Sequence, residues 1–232
     1  MRSFGRVLGV VLLLVGLVAA LVVVDHLVRR RVEQRVSETV AAQFGGEVTT
    51  ELGGWPFLAS QLTGRVEDAR ITIDRVTVPV QDRFATIEHI DLTAVGLAPI
   101  DDFDQTRAER LDARALMTWG ELSTLLGFPI SHVEGDRISA RTSVEALGVV
   151  AVAELQADLG VQPDGRLVLS NATASAAGAR LPQQVVQPAV ELLAPTMQLP
   201  QFEGLSYQGL ELDSSGIAAL LNGADVQLSA IA

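Results

Sequence analysis

Three stretches of the chain alternate apolar and polar residues so regularly that they admit one local structure. Ile138, Ala140, Thr142, Val144 and Ala146 are interleaved with Arg137, Ser139, Arg141, Ser143 and Glu145. Ala153, Leu155, Ala157 and Leu159 alternate with Glu154, Gln156 and Asp158, and Val226, Leu228 and Ala230 with Asp225, Gln227 and Ser229. Successive side chains of a β-strand point to opposite faces, so these runs predict antiparallel strands with one packed side and one wet side. Turn residues support them. Gln162-Pro163-Asp164-Gly165 separates two apolar runs, and Asn222-Gly223 reads as a hairpin dipeptide.

Other candidate strands change parity partway. Ile71 and Ile73 are followed by Val76, Val78 and Val80; Ile87 is followed by Ile90 and Leu92, then by Val95 and Leu97. A one-residue slip turns the apolar side over unless a bulge restores it. The pattern therefore predicts repeated bulges and a strongly bent sheet. Short helices are predicted at Pro56–Leu62, Trp119–Leu126 and Gln183–Leu193. The second opens with the capping box Thr118-x-x-Glu121, and the third contains Pro188. No low-complexity linker divides this region.

A longer helix precedes the strands. Val28, Val32, Val36, Val40 and Phe44 recur every four residues, with Arg29, Arg30, Glu33, Arg35 and Glu38 on other faces and Gly45-Gly46 at the end. Its valine stripe is read as packing against the domain. The predicted fold is α+β: a strongly curved antiparallel sheet of eight or more strands wrapped around this helix. Such a fold leaves an elongated apolar cavity, a favourable place for an acyl chain.

Ahead of the helix, Val7–Val24 gives 18 consecutive residues without a charge. At about 1.5 Å per residue this run reaches roughly across the hydrocarbon core. It reads as an anchor, residues 1–27, preceding a domain of residues 28–232. A cleaved signal peptide and a buried core helix are the alternatives. The run exceeds a typical signal core of about 7–15 residues, and Leu21 to Val24 continue it past Ala19-Ala20. Charge does not choose the side: Arg2 and Arg6 stand before it, and Arg29, Arg30, Arg31 and Arg35 after it.

Composition narrows the function. The net charge is −11, from 17 arginines, no lysine and 28 acids. Residues 1–35 hold six Arg against Asp25 and Glu33, leaving eleven Arg against 26 acids in the rest. A body so acidic is unsuited to nucleic acid, whose affinity comes largely from phosphate neutralisation, and to charge-driven adhesion on anionic bilayers. Its lipid affinity has to be apolar. With no cysteine, disulfide frameworks, thiol catalysis and Cys-ligated zinc are excluded.

Catalytic patterns are absent or broken. Gly204-Leu205-Ser206-Tyr207-Gln208-Gly209 misses G-x-S-x-G by one residue. His26, His89 and His132 have no metal-ligand spacing, and Asp101, Asp102 and Asp104 are followed by Thr106 where a calcium loop needs glycine. No catalytic residue, metal site or cofactor is assigned, and the chain is read as a non-enzyme. The most informative stretch is Gly53-Gly54-Trp55-Pro56-Phe57-Leu58-Ala59-Ser60-Gln61-Leu62-Thr63-Gly64. It reads either as a core plug closing one end of the sheet or as a mobile lip where a lipid tail enters.

With Pro56-Phe57-Leu58, Gln61-Leu62 and Gly64, the chain resembles the LmeA-like phospholipid-binding family of actinobacterial envelope proteins. The likeness starts in the helix ending at Phe44, continues through Val66–Ile73, and ends with Leu199-Pro200, Gly204-Leu205 and Gly216–Leu228. It implies a tubular lipid-binding type of fold, with binding of phospholipid in place of catalysis. It also implies anchoring at the plasma membrane with the C-terminal body outside the cytoplasm, in support of envelope lipid or lipoglycan maturation. The candidate acyl contacts are Phe44, Trp55, Phe57, Leu58, Leu62, Ile71, Ile73, Ile90 and Leu92. The implied partners are phospholipid and the plasma membrane, with no nucleic acid. The rival reading is a non-enzymatic envelope scaffold whose interior is packed core.

Overall fold

The computed structural model describes residues 25–38, 41, 46–54, 57, 60, 63–80, 83–100, 105–146, 149–176, 178–184, 186 and 199–230. Val7–Val24, Phe44, Trp55, Leu58, Leu62, Asp101, Asp102 and Asp104 lie outside the described residues. Among the described residues, no helix is long and apolar enough to cross a membrane.

The architecture is α+β, with two antiparallel sheets. The first has six strands in the order β1-β2-β3-β4-β11-β10. These are β1 Glu47–Leu52, β2 Val66–Val80, β3 Arg83–Ala98, β4 Arg107–Thr118, β10 Ser206–Leu212 and β11 Gly216–Gln227. The second runs β5-β6-β7-β8-β9, with β5 Ile130–Glu134, β6 Arg137–Ala146, β7 Val149–Val161, β8 Leu167–Ala176 and β9 Ala179–Arg180. Helix α1 covers 25–38 and α2 covers Trp119–Leu126.

The single curved sheet wrapped around a helix is therefore corrected: the strands divide between two sheets, and neither curls around α1. The division happens at α2. Thr118 caps it by accepting the Glu121 N–H at 3.2 Å, and Gly127 ends it in the left-handed conformation at φ 81°. This short helix turns the chain out of β4 and into β5, so β5 to β9 pair among themselves. The C-terminal strands then return to β4, with Leu116 opposite Ala218 and Ala108 opposite Val226.

The predicted bulges in β2 and β3 are corrected as well. Asp74 pairs with His89 and Val76 with Ile87; Asp68 pairs with Val95 and Val66 with Leu97. The register is the same throughout. One residue drops out on both strands at two places, Arg75 with Glu88 and Glu67 with Gly96, so the slips cancel; pairing runs unbroken from Leu92 to Val95, which lies on the other face. Arg75 at φ 57° and Gly96 at φ 69° supply the left-handed backbone that re-aims the strand.

The hairpin reading of Asn222-Gly223 is a third correction. Both residues lie inside β11, opposite Asp112 and Leu111 of β4. The turn comes earlier, where the Asp213 carboxylate accepts the N–H groups of Ser215 at 2.7 Å and Gly216 at 3.2 Å. Gly223 is small for another reason, since a Cβ there would collide with the Gly204 carbonyl oxygen. The third alternating run is also shortened: β11 ends at Gln227, and Leu228–Ala230 form a 3-10 turn. Elsewhere the reading matches the structure. Gln162-Pro163-Asp164-Gly165 joins β7 to β8, with the Gly165 N–H donating to Gln162 at 2.8 Å, and the β6–β7 register sets Ile138 opposite Ala157 and Ala140 opposite Leu155.

Three clusters of buried residues hold the described sheets, the smallest being Ala157, Ala172 and Val186 on the second sheet. One end of the six-stranded sheet contributes Leu52, Val66, Ala69, Ala94, Leu97, Ala108, Leu111 and Val226 around Phe57, with Val28 and Val32 of α1 against them. The second core joins the sheets: Ile130, Ile138 and Leu159 meet Leu210, Leu212 and Ile217, with Trp119, Leu122 and Leu126 of α2 beside them. The β7–β8 turn also docks on β10. Tyr207 donates its hydroxyl to Pro200 at 2.7 Å and its N–H to Pro163 at 3.2 Å, and burial pushes the phenol up to about 12.

Candidate functional site

Residues directly opposite each other on antiparallel strands share a face, with Cβ atoms about 4.5–5.5 Å apart. Following the pairing across the first sheet therefore identifies the composition of each face. Val48 of β1 lies opposite Ile73, which lies opposite Ile90, which lies opposite Ala115 and then Ala219. One step along, Thr50, Ile71, Leu92, Ala113 and Leu221 form the next row. Beyond the cancelled slip at Arg75, Val76 continues the same side opposite Ile87. Six β-branched or leucine side chains thus meet on β2 and β3, and alanines lower the relief on β4.

This face gathers four of the nine residues read from sequence: Ile71, Ile73, Ile90 and Leu92 occupy adjacent rows on neighbouring strands. Ile73 is buried, whereas Ile71, Ile90 and Leu92 keep accessible surface. Phe57 packs at the end of this face, against its next row, Leu52, Ala69, Ala94 and Leu111. It is helical and fully buried among Leu52, Val66, Ala69 and Ala94, the packing a plug at the end of the sheet would have. The remaining four, Phe44, Trp55, Leu58 and Leu62, lie outside the described residues.

Sequence reading missed the extension of the face onto β4, β11 and β1. A signal for β4 was present in Leu111, Ala113, Ala115 and Met117, separated by Asp112, Arg114 and Leu116. Nothing local indicates Val48 and Thr50, whose membership depends on β1 pairing with β2.

At the β1 edge the apolar rows meet α1. An edge strand exposes unpaired backbone groups, and here α1 engages one of them. The Glu33 carboxylate accepts the Leu52 N–H at 3.0 Å and the Arg29 Nε–H at 2.9 Å, while Ser37 donates to Thr50 at 3.0 Å. Beside these contacts runs an open groove of about 660 Å³, with Leu27, Arg30, Arg31, Gln34, Val48 and Thr49 among its lining residues.

The opposite face of this sheet is polar. His89 lies between two carboxylates, its Nδ1 2.5 Å from Asp74 and its Nε2 3.1 Å from Asp91, and Thr72 donates to Asp91 at 3.3 Å. The Asp74 hydrogen bond holds the imidazole above its ordinary value; burial opposes this and the Asp91 charge adds to it. His132 lies apart, stacked on Trp119 at 6.1 Å. Among the described residues no cluster of His, Asp and Glu is arranged to hold a metal ion. Ser206 of the broken elbow begins β10, opposite Asn222.

The family model for LmeA-like phospholipid-binding matches residues 23–222. Neither a curated protein nor a solved structure matches the chain.

Proposed function

The chain belongs to the LmeA-like phospholipid-binding family, and from that premise we propose a non-enzymatic, membrane-anchored protein of the cell envelope that lays phospholipid acyl chains along the apolar face of the six-stranded sheet. The observation that carries this reading is the alignment of Ile71 with Leu92 and of Ile73 with Ile90 on one face. Chemistry there is limited to apolar contact, worth about 0.8 kcal/mol for each methylene removed from water. From Ile71 to Val76 the strand rises about 3.3 Å per residue, roughly 16 Å in all, close to half of the roughly 30 Å hydrocarbon core. One acyl chain fits that length. Val7–Val24 serves as the anchor and residues from 28 onward stand outside the cytoplasm, in support of envelope lipid or lipoglycan maturation. Phe44, Trp55, Leu58 and Leu62 join the acyl contacts in this reading, and Phe57 supports them from the core.

The burial of Ile73 and Val76 favours a second reading, a scaffold protein whose apolar face is packed core. Site-specific photocrosslinking separates the two. The full-length chain is made in membranes with p-benzoylphenylalanine replacing Leu92, or replacing Thr93 as a control on the opposite face. Phospholipid adducts at Leu92 and none at Thr93 are expected. Adducts within the chain alone at Leu92 would establish the packed core and remove the lipid-binding assignment from this face.

A further inference from the structure

We propose that the groove between α1 and β1 holds the phosphodiester headgroup of the lipid whose acyl chain lies on the adjoining face, with Arg30 and Arg31 as its anion ligands. This deepens the reading above and rests on it.

The groove holds about 660 Å³ and carries Arg30 and Arg31 on its α1 wall with Thr49 and Thr50 on its β1 wall. Both arginines are exposed, and neither forms an ion pair or hydrogen bond among the described residues. Their neighbour Arg29 differs, being held by Glu33 at 2.9 Å. Glu33 also lines the groove, but its carboxylate is already engaged by Arg29 and by the Leu52 N–H. Glu38 lines the groove as well, at its other end, seven residues beyond Arg31 and so about 10 Å along the helix at 1.5 Å per residue. The groove is therefore cationic at its Arg30–Arg31 end, in a chain whose residues 36–232 carry eleven Arg against 26 acids. Two exposed guanidinium groups with the exposed Thr49 on the facing wall suit the oxygens of a phosphodiester.

The second observation is continuity. Val48 and Thr50 of the groove wall belong to the rows that contain Ile73 and Ile90, and Ile71 and Leu92. Moving inward from the groove, the surface changes from guanidinium to hydroxyl, then to valine, isoleucine and leucine. That is the polarity sequence of a phospholipid from phosphate to tail. The third observation is position along the chain. Arg30 follows the last residue of the apolar run, Val24, by six positions, so a helix continuing from a membrane anchor would hold it about 9 Å beyond the hydrocarbon. This is the level of the headgroups.

The test uses the full-length chain carrying p-benzoylphenylalanine at Leu92, reconstituted in vesicles of phosphatidylcholine and phosphatidylglycerol in equal parts. Arg30→Gln with Arg31→Gln is expected to lower lipid labelling at Leu92 by roughly fivefold to tenfold, the loss of two partly solvated charge-assisted contacts. Arg30→Lys with Arg31→Lys should retain most of it. Millimolar inorganic phosphate should leave labelling unchanged, since the tail contributes to binding. Unchanged labelling in the glutamine pair, with its melting transition intact, would overturn the headgroup assignment and leave the acyl reading standing. Competition by inorganic phosphate would show a free-anion site and equally overturn it. Absence of lipid labelling in the parent chain would remove the acyl reading and this inference together.

Discussion

Phe57→Ala tests whether the P-F-L segment is structural. Phe57 is 0% exposed and touches a cluster drawn from β1, β2, β3, β4 and β11. Truncation leaves a cavity bounded by five strands that pair with one another, so the surroundings have little freedom to collapse. For a buried phenylalanine the cost is about 3–5 kcal/mol. In a domain of this size each kcal/mol moves the midpoint by about 2–4 °C, giving a fall of roughly 6–20 °C. Phe84 supplies the control, at 75% exposure on β3 near the β2–β3 turn, and Phe84→Ala should stay within about 0.5 kcal/mol of the parent. The assay is thermal melting of the full-length chain by circular dichroism, with lipid labelling at Leu92 measured in parallel. A loss of 5 kcal/mol is a large share of ordinary domain stability, so Phe57→Leu, which removes less volume, should melt between the two. Melting unchanged in Phe57→Ala together with reduced labelling would refute the argument and make Phe57 a lipid contact.

Stability should also depend on pH through His89. Its folded pKa lies above the ordinary 6.5 because of Asp74 and Asp91, so its contribution is fully present below about 6.5 and is lost as pH rises through the raised value. Melting from pH 5 to 9 should show this fall in the parent and a flatter profile in His89→Gln; parallel profiles would deny the linkage. For topology, a reporter active only in the cytoplasm and fused after Gly46 should be silent, and protein isolated from membranes should retain residues before Leu21. A signal from the reporter would place the domain on the other side.

Much of the local structure was legible because its cause is local. Alternation at Ile138–Ala146 and Ala153–Leu159 follows from a strand pointing successive side chains to opposite faces. Thr118 and Gly127 bound α2 through backbone groups within the same helix. The apolar character of Ile71, Ile73, Ile90 and Leu92 was equally visible, and so was the parity change that follows each pair.

What these residues do together belonged to tertiary structure. Pairing is a relation between distant segments, and period two is satisfied equally by many partners, so nothing local tells β4 to pair with β11 instead of β5. The slip at Arg75 looks like a bulge on its own strand; its cancellation by Glu88 exists only once β3 lies alongside. Asn222-Gly223 has the conformational preferences of a turn, yet β11 keeps it extended between Asp112 and Ser206, and the close approach of the Gly204 carbonyl accounts for the glycine. The groove is the furthest from local legibility: Arg30 and Arg31 are two charges on a helix until β1 brings Val48, Thr49 and Thr50 against them. Side-chain periodicity determined which face of each strand is apolar, and long-range packing decided which of those faces meet.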